Sequence, residues 1–448
     1  QSIQGRYGVV MSYNENQTPF EFESIRLLSS EDGRTPIELK LMVSDLDIFE
    51  HLDKPYLTGI MAFQDNRNIM NGAEVRGGDK VEVKIRNTSD TVPATFVDKV
   101  FRIDKVMSTT RMEQNQNAES IVLHLIENHW YESNAYNVNK SYSGKVSDIL
   151  PKISSEYLGK KEIESSGTDI QELKVIVPNL TPIESMCWLK NRTTNESGYP
   201  FYLYSTLIDN KLHFKDLKTL MSESPWNESA PHSYIASNQG VGDVQMRRTI
   251  KTYEHKNTDN LLTLIDKGLV GAKHQNFNVT KNEMSEVDFD IQEHVIKTLT
   301  TDGISKKKPF YPKELKVDDT PLNKIESRVT TQVTSTLAYP DDKNSYGESK
   351  TIGEYRRDVI SRTVLGLMQH SPMTVTVNGF DFANELYNTI GSVMRISFLL
   401  TSFTQSTNET FDSKRSGDYL VYSAKHSFKY EGYDVSLSCM KLTNGDFE

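Results

Sequence analysis

Two histidines in the stretch "HLIENH", His124 and His129, are the first residues whose type could support chemistry. Imidazole is a common metal ligand. Four residues lie between the two histidines, which places them far apart along a strand, and the sequence offers no third ligand nearby. We therefore interpret both as ordinary strand and loop histidines and predict no metal site.

A second candidate is the acidic stretch that contains Asp45, Asp47, Glu50 and Asp53. It could be a glycosidase carboxylate pair or a calcium loop. A calcium loop of the EF-hand type needs glycine at its sixth position, where Glu50 stands if Asp45 leads. Glycosidase carboxylates cannot be distinguished from solvated ones without geometry. We predict the solvated face of a short acidic helix that ends at Pro55.

The familiar catalytic motifs do not occur in the sequence: H-E-x-x-H, paired C-x-x-C, G-x-S-x-G and Walker A. The stretch nearest to a phosphate loop is "NKSYSGKVS". It lacks the first glycine, and Val146 stands where a serine or threonine would bind magnesium. The sequence therefore predicts no catalytic residue, no cofactor and no enzyme.

The net charge of the sequence bears on whether the protein binds nucleic acid. The 448 residues carry a net charge of −10, from 51 Lys and Arg against 61 Asp and Glu, and the only clear basic run is "SKKKPF". A nucleic-acid-binding protein needs a cationic surface, whereas an acidic surface would let DNA pass without sticking. The two cysteines, Cys187 and Cys439, are predicted to be buried free thiols. Neither a signal peptide nor a membrane span is predicted.

The predicted strands that would position these residues follow a pattern that occurs twice in the sequence. A glycine turn precedes an alternating strand in "VRGGDKVEVKIRN" and again in "NTIGSVMRISFLL". Two further strands follow each turn: "VFRIDKV" and "SIVLHLIEN" after the first, "YLVYSAKHSF" and "YDVSLSCMKL" after the second. Alternation of apolar and polar residues is typical of half-buried strands. The chain is predicted to build a three-strand meander twice.

The region between the meanders mixes helices and strands. Thr181, Pro182 and Glu184 form a predicted capping box at the start of a helix. An aromatic hairpin is expected to turn at Asp209 and Asn210. The stretch 286–299 fits a strand or a helix equally, and 301–350 is predicted to be a long polar loop. Other predicted elements are a strand over 36–44 and helices around 146–153 and 360–368, the first kinked or started late by Pro151.

The order of these segments resembles the baseplate hub subunit of contractile-tailed bacteriophages, over about residues 36 to 442. In that family a short acidic helix precedes a P-x-L-x-G strand, an Asp turn and a glycine turn. The matching positions are Pro55, Leu57, Gly59, Asp65, Gly77, Gly78 and Asp79, then Thr181, Pro182, Glu184, Phe214, Leu217 and Leu220. The residues to which we assign structural roles are the turn and cap residues Gly59, Gly77, Gly78, Gly391, Thr181 and Pro182.

The resemblance implies a β-rich α+β fold, in which two tail-tube-like β-barrels of similar topology are separated by an α+β insertion. The implied domains are a first barrel with an N-terminal arm at 1–132, the insertion at 133–245, a connecting region at 246–350 and a second barrel at 351–448. Part of the connecting region is expected to pair with the second barrel.

The resemblance also implies a structural role in the virion. As a homotrimer, the protein would join the hexameric tail tube to the trimeric central spike around a DNA channel, and would contact baseplate wedge proteins. It would be assembled in the host cytoplasm. Two alternatives remain open at this point: a tail-associated cell-wall hydrolase, and the hub portion of a type VI secretion-like spike, which is related to phage hubs.

Overall fold

The computed structural model describes residues 20–29, 35–88, 94–112, 115–170, 172–234, 247–256, 261–279, 282–301, 316–334, 352–369, 372–383, 388–399, 411–412 and 414–441. Within this part of the chain, no helix combines the length and the apolar character needed to cross a membrane.

The first part of the chain is almost entirely strand. Its strands are β1 (Phe20–Leu28), β2 (Ile37–Glu38), β3 (Val43–His51), β4 (Thr58–Asp65), β5 (Lys80–Asn87), β6 (Thr95–Met112) and β7 (Asn115–Glu127). Two short helices, α1 (Ile69–Gly72) and α2 (Asn128–Ser133), interrupt and follow them. In β5 the alternate residues Val81, Val83 and Ile85 are fully buried, as period-two patterning requires.

The middle part of the chain alternates helices and strands around a core of its own. Its elements are β8 (Ser141–Lys145), α3 (Val146–Tyr157), β9 (Ile163–Ser166), β10 (Glu172–Ile176), α4 (Pro182–Lys190), β11 (Phe201–Ser205), β12 (Leu212–Asp216), α5 (Leu217–Ser222) and β13 (His232–Tyr234). Pro151 lies inside α3, so the predicted late start is wrong. The aromatic hairpin is β11 paired antiparallel with β12.

The remaining chain builds a small separate sheet and then returns to the large one. Its elements are β14 (Ile250–His255), α6 (Leu261–Asp266), β15 (Gly271–Asn278), β16 (Glu283–Asp290), a π-helical turn (Gln292–Ile296), α7 (Lys297–Thr301), β17 (Lys316–Val317), β18 (Thr320–Pro321), a 3₁₀ turn (Leu322–Lys324), β19 (Arg328–Thr334), α8 (Ile352–Met368), β20 (Met373–Asn378), a second 3₁₀ turn (Gly379–Phe382), β21 (Val393–Phe398), β22 (Gly417–Lys429) and β23 (Gly432–Met440).

Both meanders belong to one 13-stranded sheet. Its main path runs β14-β20-β23-β22-β3-β4-β7-β6-β5-β1-β2, and β21 pairs with β22 off this path. Two sets of five strands have the same pairing order. In the first unit, defined as β3 to β7, the order is β3-β4-β7-β6-β5; in the second unit, defined as β14 and β20 to β23, it is β14-β20-β23-β22-β21. Every pairing in both units is antiparallel.

The two units also share two β-bulges at equivalent positions, although β6 has a further bulge between Val106 and Ser108 that β22 lacks. A β-bulge in β3 lies between Val43 and Asp45, and the equivalent strand β14 has one between Ile250 and Thr252. Bulges also match in β6, after Ile103, and in β22, after Val421. A bulge inserts one unpaired residue and redirects the strand, so matched bulges indicate that the second unit repeats the first.

The closed barrels that the resemblance implied are not confirmed. The two units join through antiparallel pairing of β22 with β3, which makes the sheet continuous across them. In the second unit, β13 pairs with the edge strand β21. The other contact of β13 with this unit is an isolated bridge from Ser233 to Thr249, just before β14. The fold is therefore β-rich α+β, with two like units in one sheet.

The predicted acidic helix is wrong, because residues Val43–His51 form strand β3. Leu46, Ile48 and Glu50 are buried on one face, which is a period-two pattern rather than a helical one. The predicted strand over 36–44 is also interrupted: a turn follows β2, where the backbone N–H of Val43 donates to the Leu39 carbonyl at 3.1 Å.

The region from 283 to 350 differs from expectation as well. The ambiguous stretch is strand in its first half, as β16, and helical in its second, from Gln292 to Thr301. The predicted polar loop contains β19, which pairs parallel to β15. It also contains the short strands β17 and β18, while its residues 302–315 and 335–350 lie outside the described residues.

Candidate functional site

The predicted turn glycines precede equivalent strands of the two units. Gly78 lies just before β5 with φ of +93°, and Gly391 lies just before β21 with φ of +74°. A Cβ atom at either position would lie 2.7 Å from a tyrosine hydroxyl, that of Tyr131 for the first turn and that of Tyr204 for the second. Both turns therefore need glycine for the left-handed backbone and for the close tyrosine.

The other predicted turn and cap residues have direct contacts. Gly59 lies in β4, where a Cβ atom would be 3.2 Å from the Asp47 carbonyl oxygen of the neighbouring strand; at Gly77 the corresponding distance to the Asp104 carbonyl oxygen is 3.4 Å. Thr181 is the N-cap of α4 and accepts a hydrogen bond from the Glu184 backbone N–H, while Pro182 begins the helix.

A buried polar cluster lies where the first unit, the second unit and the middle region meet. We call it the buried junction. β3, β6 and β7 contribute Glu50, Lys99 and Glu127; the middle region contributes Lys161, Asp209 and His213; β22 and β23 contribute His426 and Tyr433. Charged residues are seldom buried without partners. The hydrogen bonds and ion pairs of these buried charged groups are described in turn below, because they determine the chemistry that is open to the site.

Glu127 at the end of β7 holds the first unit to the middle region. One oxygen, Oε2, accepts from the Leu57 backbone N–H at 2.9 Å and from the Ser205 hydroxyl at 3.1 Å. The other, Oε1, pairs with Lys161 Nζ at 2.7 Å and lies 3.2 Å from His129 Nδ1. Burial alone would raise the pKa of Glu127, but His129, Lys161 and Lys99 hold this pKa well below its ordinary value.

Glu50 connects all three regions. Its Oε1 accepts the backbone N–H of Leu207 from the middle region, and its Oε2 lies 2.9 Å from His426 Nε2 of the second unit. His426 Nδ1 is in turn 2.7 Å from the Tyr433 hydroxyl. Burial raises the pKa of Tyr433 well above its ordinary value, so this hydroxyl keeps its proton.

Lys99 links β6 to the hairpin turn of the middle region. Its Nζ donates to the Asp209 carbonyl oxygen, and burial lowers the pKa of Lys99 although Glu127 opposes this. The Asp209 carboxylate lies 2.9 Å from His213 Nε2. Burial would raise the pKa of Asp209, but His213, the Lys211 N–H and the Thr206 hydroxyl lower it to about 2.

The carboxylates of Glu127 and Asp209 in the buried junction are held in their charged form. A general acid in a glycosidase needs a raised carboxyl pKa, and those of Glu127 and Asp209 are lowered. Within the described part of the chain, no group of three or more His, Cys, Asp or Glu side chains could hold a metal ion. The site therefore ties three regions of the chain together, through the ionic lock of Glu127 with Lys161 and through the hydrogen bonds that Glu50 forms with the Leu207 N–H and with His426.

The structure separates the residues considered for chemistry in the sequence. His124 lies in β7, with its Nδ1 2.9 Å from Asp104, whereas His129 is buried in α2, with its Nε2 2.6 Å from the Pro55 carbonyl oxygen. Of the four acidic residues, Asp47 accepts from the Ser427 hydroxyl at 2.6 Å and Asp53 pairs with Lys190. The expectation that Glu50 is solvated is wrong, because it lies on the buried face of β3.

The cysteines differ in burial. Cys439 is buried and Cys187 is half-buried, and both are free thiols. Burial raises the pKa of Cys187 to about 11 and that of Cys439 to about 12. Both thiols therefore stay protonated near neutral pH.

Sequence reasoning missed Lys99, Glu127, Lys161 and His426 as members of one site. These residues lie up to some hundreds of positions apart in the chain, and the pairing of β22 with β3 is one of the contacts that bring the second unit to the first. One local feature of the sequence does point to a buried charge. Lys99 lies between Val97 and Phe101 on the face of β6 whose apolar side chains are buried.

No protein-family model matches the sequence, and no curated protein matches it. Solved structures do match. The tail protein from Neisseria meningitidis MC58 has a TM-score of 0.53 at 10% identity, and the match covers 94% of this chain and 96% of that one. The 43 kDa tail protein of prophage MuSo2 from Shewanella oneidensis has a TM-score of 0.49 at 10% identity, over 94% of this chain and 100% of that one.

A third match is the E. coli protein c3393, described as a type VI secretion component with structural similarity to the T4 tail proteins gp27 and gp5. Its TM-score is 0.42 at 8% identity, over 96% of this chain and 79% of that one. Of these three structures, the Neisseria tail protein alone has a TM-score above 0.5, and at such low identity the likeness concerns the fold. The chain has the fold of this tail protein, in agreement with the resemblance in the sequence.

Proposed function

We propose that this chain is a structural subunit of a virion, the central hub of a phage tail baseplate. As a homotrimer it joins the hexameric tail tube to the trimeric central spike around a channel for DNA. The observation that carries the proposal is the repeated unit, with the same order of five strands and bulges at equivalent positions.

A repeated unit offers a physical way to match two symmetries. Three chains with two like units each present six similar edges, so a trimer can contact a six-fold partner on one side. Its three-fold features remain available to a trimeric partner on the other side. Closed ring symmetry would also limit runaway pairing of exposed strand edges.

The proposed partners are a second and third copy of this chain, the tail tube protein, the central spike protein and the baseplate wedge proteins. DNA would pass without specific binding, which the net charge of −10 favours. We propose tail-tube-like domains at 1–132 and 351–448, an insertion at 133–245 and a connecting region at 246–350. The site of action would be the virion tail, after assembly in the host cytoplasm.

A cell-wall hydrolase is less well supported than a hub. The buried carboxylates of Glu50 and Glu127 each have at least two partners, and the lowered pKa of Glu127 is unsuited to a general acid. These groups join three regions of the chain to one another, as expected for a subunit that connects other components of a tail.

The mass of the purified full-length chain in solution tests the proposal. Sedimentation or native mass spectrometry is expected to give three chains per particle, and averaged electron micrographs are expected to show a ring of six similar lobes around a central hole. A chain that stays monomeric at micromolar concentration, or that forms a particle without three-fold symmetry, would contradict the hub proposal.

A further inference from the structure

A cavity of about 410 Å³ lies between helices α6 and α8 and strands β15 and β19 of the small sheet. Its apolar floor consists of buried side chains, namely Leu264 of α6, Leu269 of the following turn, Ala272 of β15 and Val359 of α8. Pockets for small ligands have volumes of about 300–1,000 Å³ and mostly apolar linings with a few polar groups. The cavity therefore has the size and the floor of a small-molecule site.

Helix α8 has a glycine at a position that lines this cavity. Gly366 lies in the interior of the helix, where glycine is one of the poorest helix formers. A Cβ atom at this position would lie 2.8 Å from Leu264 Cδ2. A larger residue would extend into the space beside Leu264, so the glycine leaves the cavity its volume.

The rim of the cavity is cationic. Lys267, which follows α6, Arg328 of β19 and Arg362 of α8 line it, and none of its described lining residues is Asp or Glu. The three cations are exposed, and none of them forms an ion pair with a described carboxylate. By contrast, Lys273 of β15, whose side chain lies on the other face of the strand, pairs with Glu326 at 2.7 Å. Three cations around one cavity, in a chain of net charge −10, create a local positive potential that favours an anion.

The charge of Arg362 also reaches the floor of the cavity. His274 of β15 lines the floor opposite Thr330 of β19. Burial and, after it, the positive charge of Arg362 lower the pKa of His274, so the imidazole is neutral at pH 7. Arg362 Nε donates to the Asp358 backbone carbonyl at 3.3 Å, and this neutral acceptor leaves the guanidinium charge in place.

We propose that this cavity binds a small amphipathic anion, with its apolar body on the floor and its carboxylate or phosphate head at Arg328 and Arg362. Arginine suits this role because its planar guanidinium binds carboxylate and phosphate groups through two parallel hydrogen bonds. None of the lining residues belongs to the buried junction. The inference goes beyond the hub proposal and does not depend on it.

The dye anilinonaphthalene sulfonate tests the site in the full-length chain at pH 7, because it is an anion with an apolar body whose fluorescence increases in an apolar pocket. Octanoate and octyl phosphate offer both a body and a head, octanol offers a body alone, and inorganic phosphate offers a head alone. We expect one saturable dye site per chain. Octanoate or octyl phosphate should displace the dye at concentrations about tenfold below those of octanol and inorganic phosphate, because hydrogen bonds to charged groups are strong, and the tighter competitor identifies the head.

Variants locate the site. Arg328→Gln and Arg362→Gln should each weaken dye binding about tenfold, because each removes a charge-assisted hydrogen-bonding partner. The matched control is Arg67→Gln, at an exposed arginine after β4, which should bind the dye like wild type. Gly366→Met should fill the space beside Leu264 and abolish dye binding, and thermal melting shows whether each variant is folded.

Four results would overturn the proposal. The first is the lack of a saturable dye site, and the second is a dye affinity that stays at the wild-type value in the folded double variant Arg328→Gln/Arg362→Gln. The third is displacement by octanol as effective as that by octanoate and octyl phosphate, which would mean that the head is not recognised. The fourth is displacement by inorganic phosphate as effective as that by octyl phosphate, which would mean that the floor is not used.

Discussion

Replacing Glu127 by Gln tests whether the buried junction holds the three regions together. Gln keeps the shape and an oxygen acceptor for the Leu57 N–H and the Ser205 hydroxyl, but removes the charge that faces Lys161 at 2.7 Å. Removing one partner of a buried ion pair costs about 3–5 kcal/mol, because the other charge stays buried without compensation. We expect the free energy of unfolding in urea at pH 7 to fall by about that amount.

The pH dependence distinguishes a lost charge from a packing defect. The pKa of folded Glu127 lies well below its ordinary value of 4.5, so its contribution to stability is complete above pH 4.5 and is lost as the pH falls through the folded pKa. The difference between wild type and Glu127→Gln should therefore be largest near neutral pH and shrink below pH 4.5.

Two further variants serve as a control and as a test of the partner charge. Glu196→Gln removes an exposed carboxylate of the middle region and should change the free energy of unfolding by less than about 0.5 kcal/mol. Adding Lys161→Met to Glu127→Gln removes the uncompensated cation and should recover part of the loss. A loss below about 1 kcal/mol for Glu127→Gln, or one that does not change between pH 7 and pH 4, would refute the ionic lock.

Three other predictions concern the turn, the cap and the absence of catalysis. Gly391→Ala should lower stability by more than 1 kcal/mol in thermal melting, because a Cβ atom would lie 2.7 Å from the Tyr204 hydroxyl at a φ of +74°; Gly72→Ala, with nothing within 4 Å, is the control. Thr181→Ala should cost about 1 kcal/mol by removing the N-cap of α4, and an unchanged melting curve would count against that cap. In zymograms the purified chain should not clear peptidoglycan beside an active hydrolase, and clearing that one carboxylate substitution abolishes would favour the rival function.

The strands of the two meanders could be predicted from sequence because most of them, such as β5 and β23, bury alternate residues, although β21 is buried on both faces. Val81, Val83 and Ile85 of β5 are buried as expected. The same rule would have identified β3, where Leu46 and Ile48 alternate with aspartates. The density of carboxylates in this segment favours a solvated helix, so composition and periodicity predict different structures for it.

The buried junction could not be predicted because its members meet only through tertiary pairing. Glu50 and His426 are neighbours since β22 pairs with β3, a contact between segments at opposite ends of the chain. Local sequence patterns specify which residues face inward, but not which distant strand supplies the partner. The capping box at Thr181 and Glu184 is the opposite case, because cap and partner lie three residues apart.

The bulges explain how strand β22 can belong to its own unit and also pair with the other unit. A strand that pairs with one neighbour along its whole length cannot connect one unit to the next. An inserted residue re-aims the strand, and in β22 the insertion at Tyr422 is what allows pairing first with β21 and then with β3. Asp104 makes the same insertion in β6. The two units therefore share the placement of these bulges as well as the glycine turns before β5 and β21.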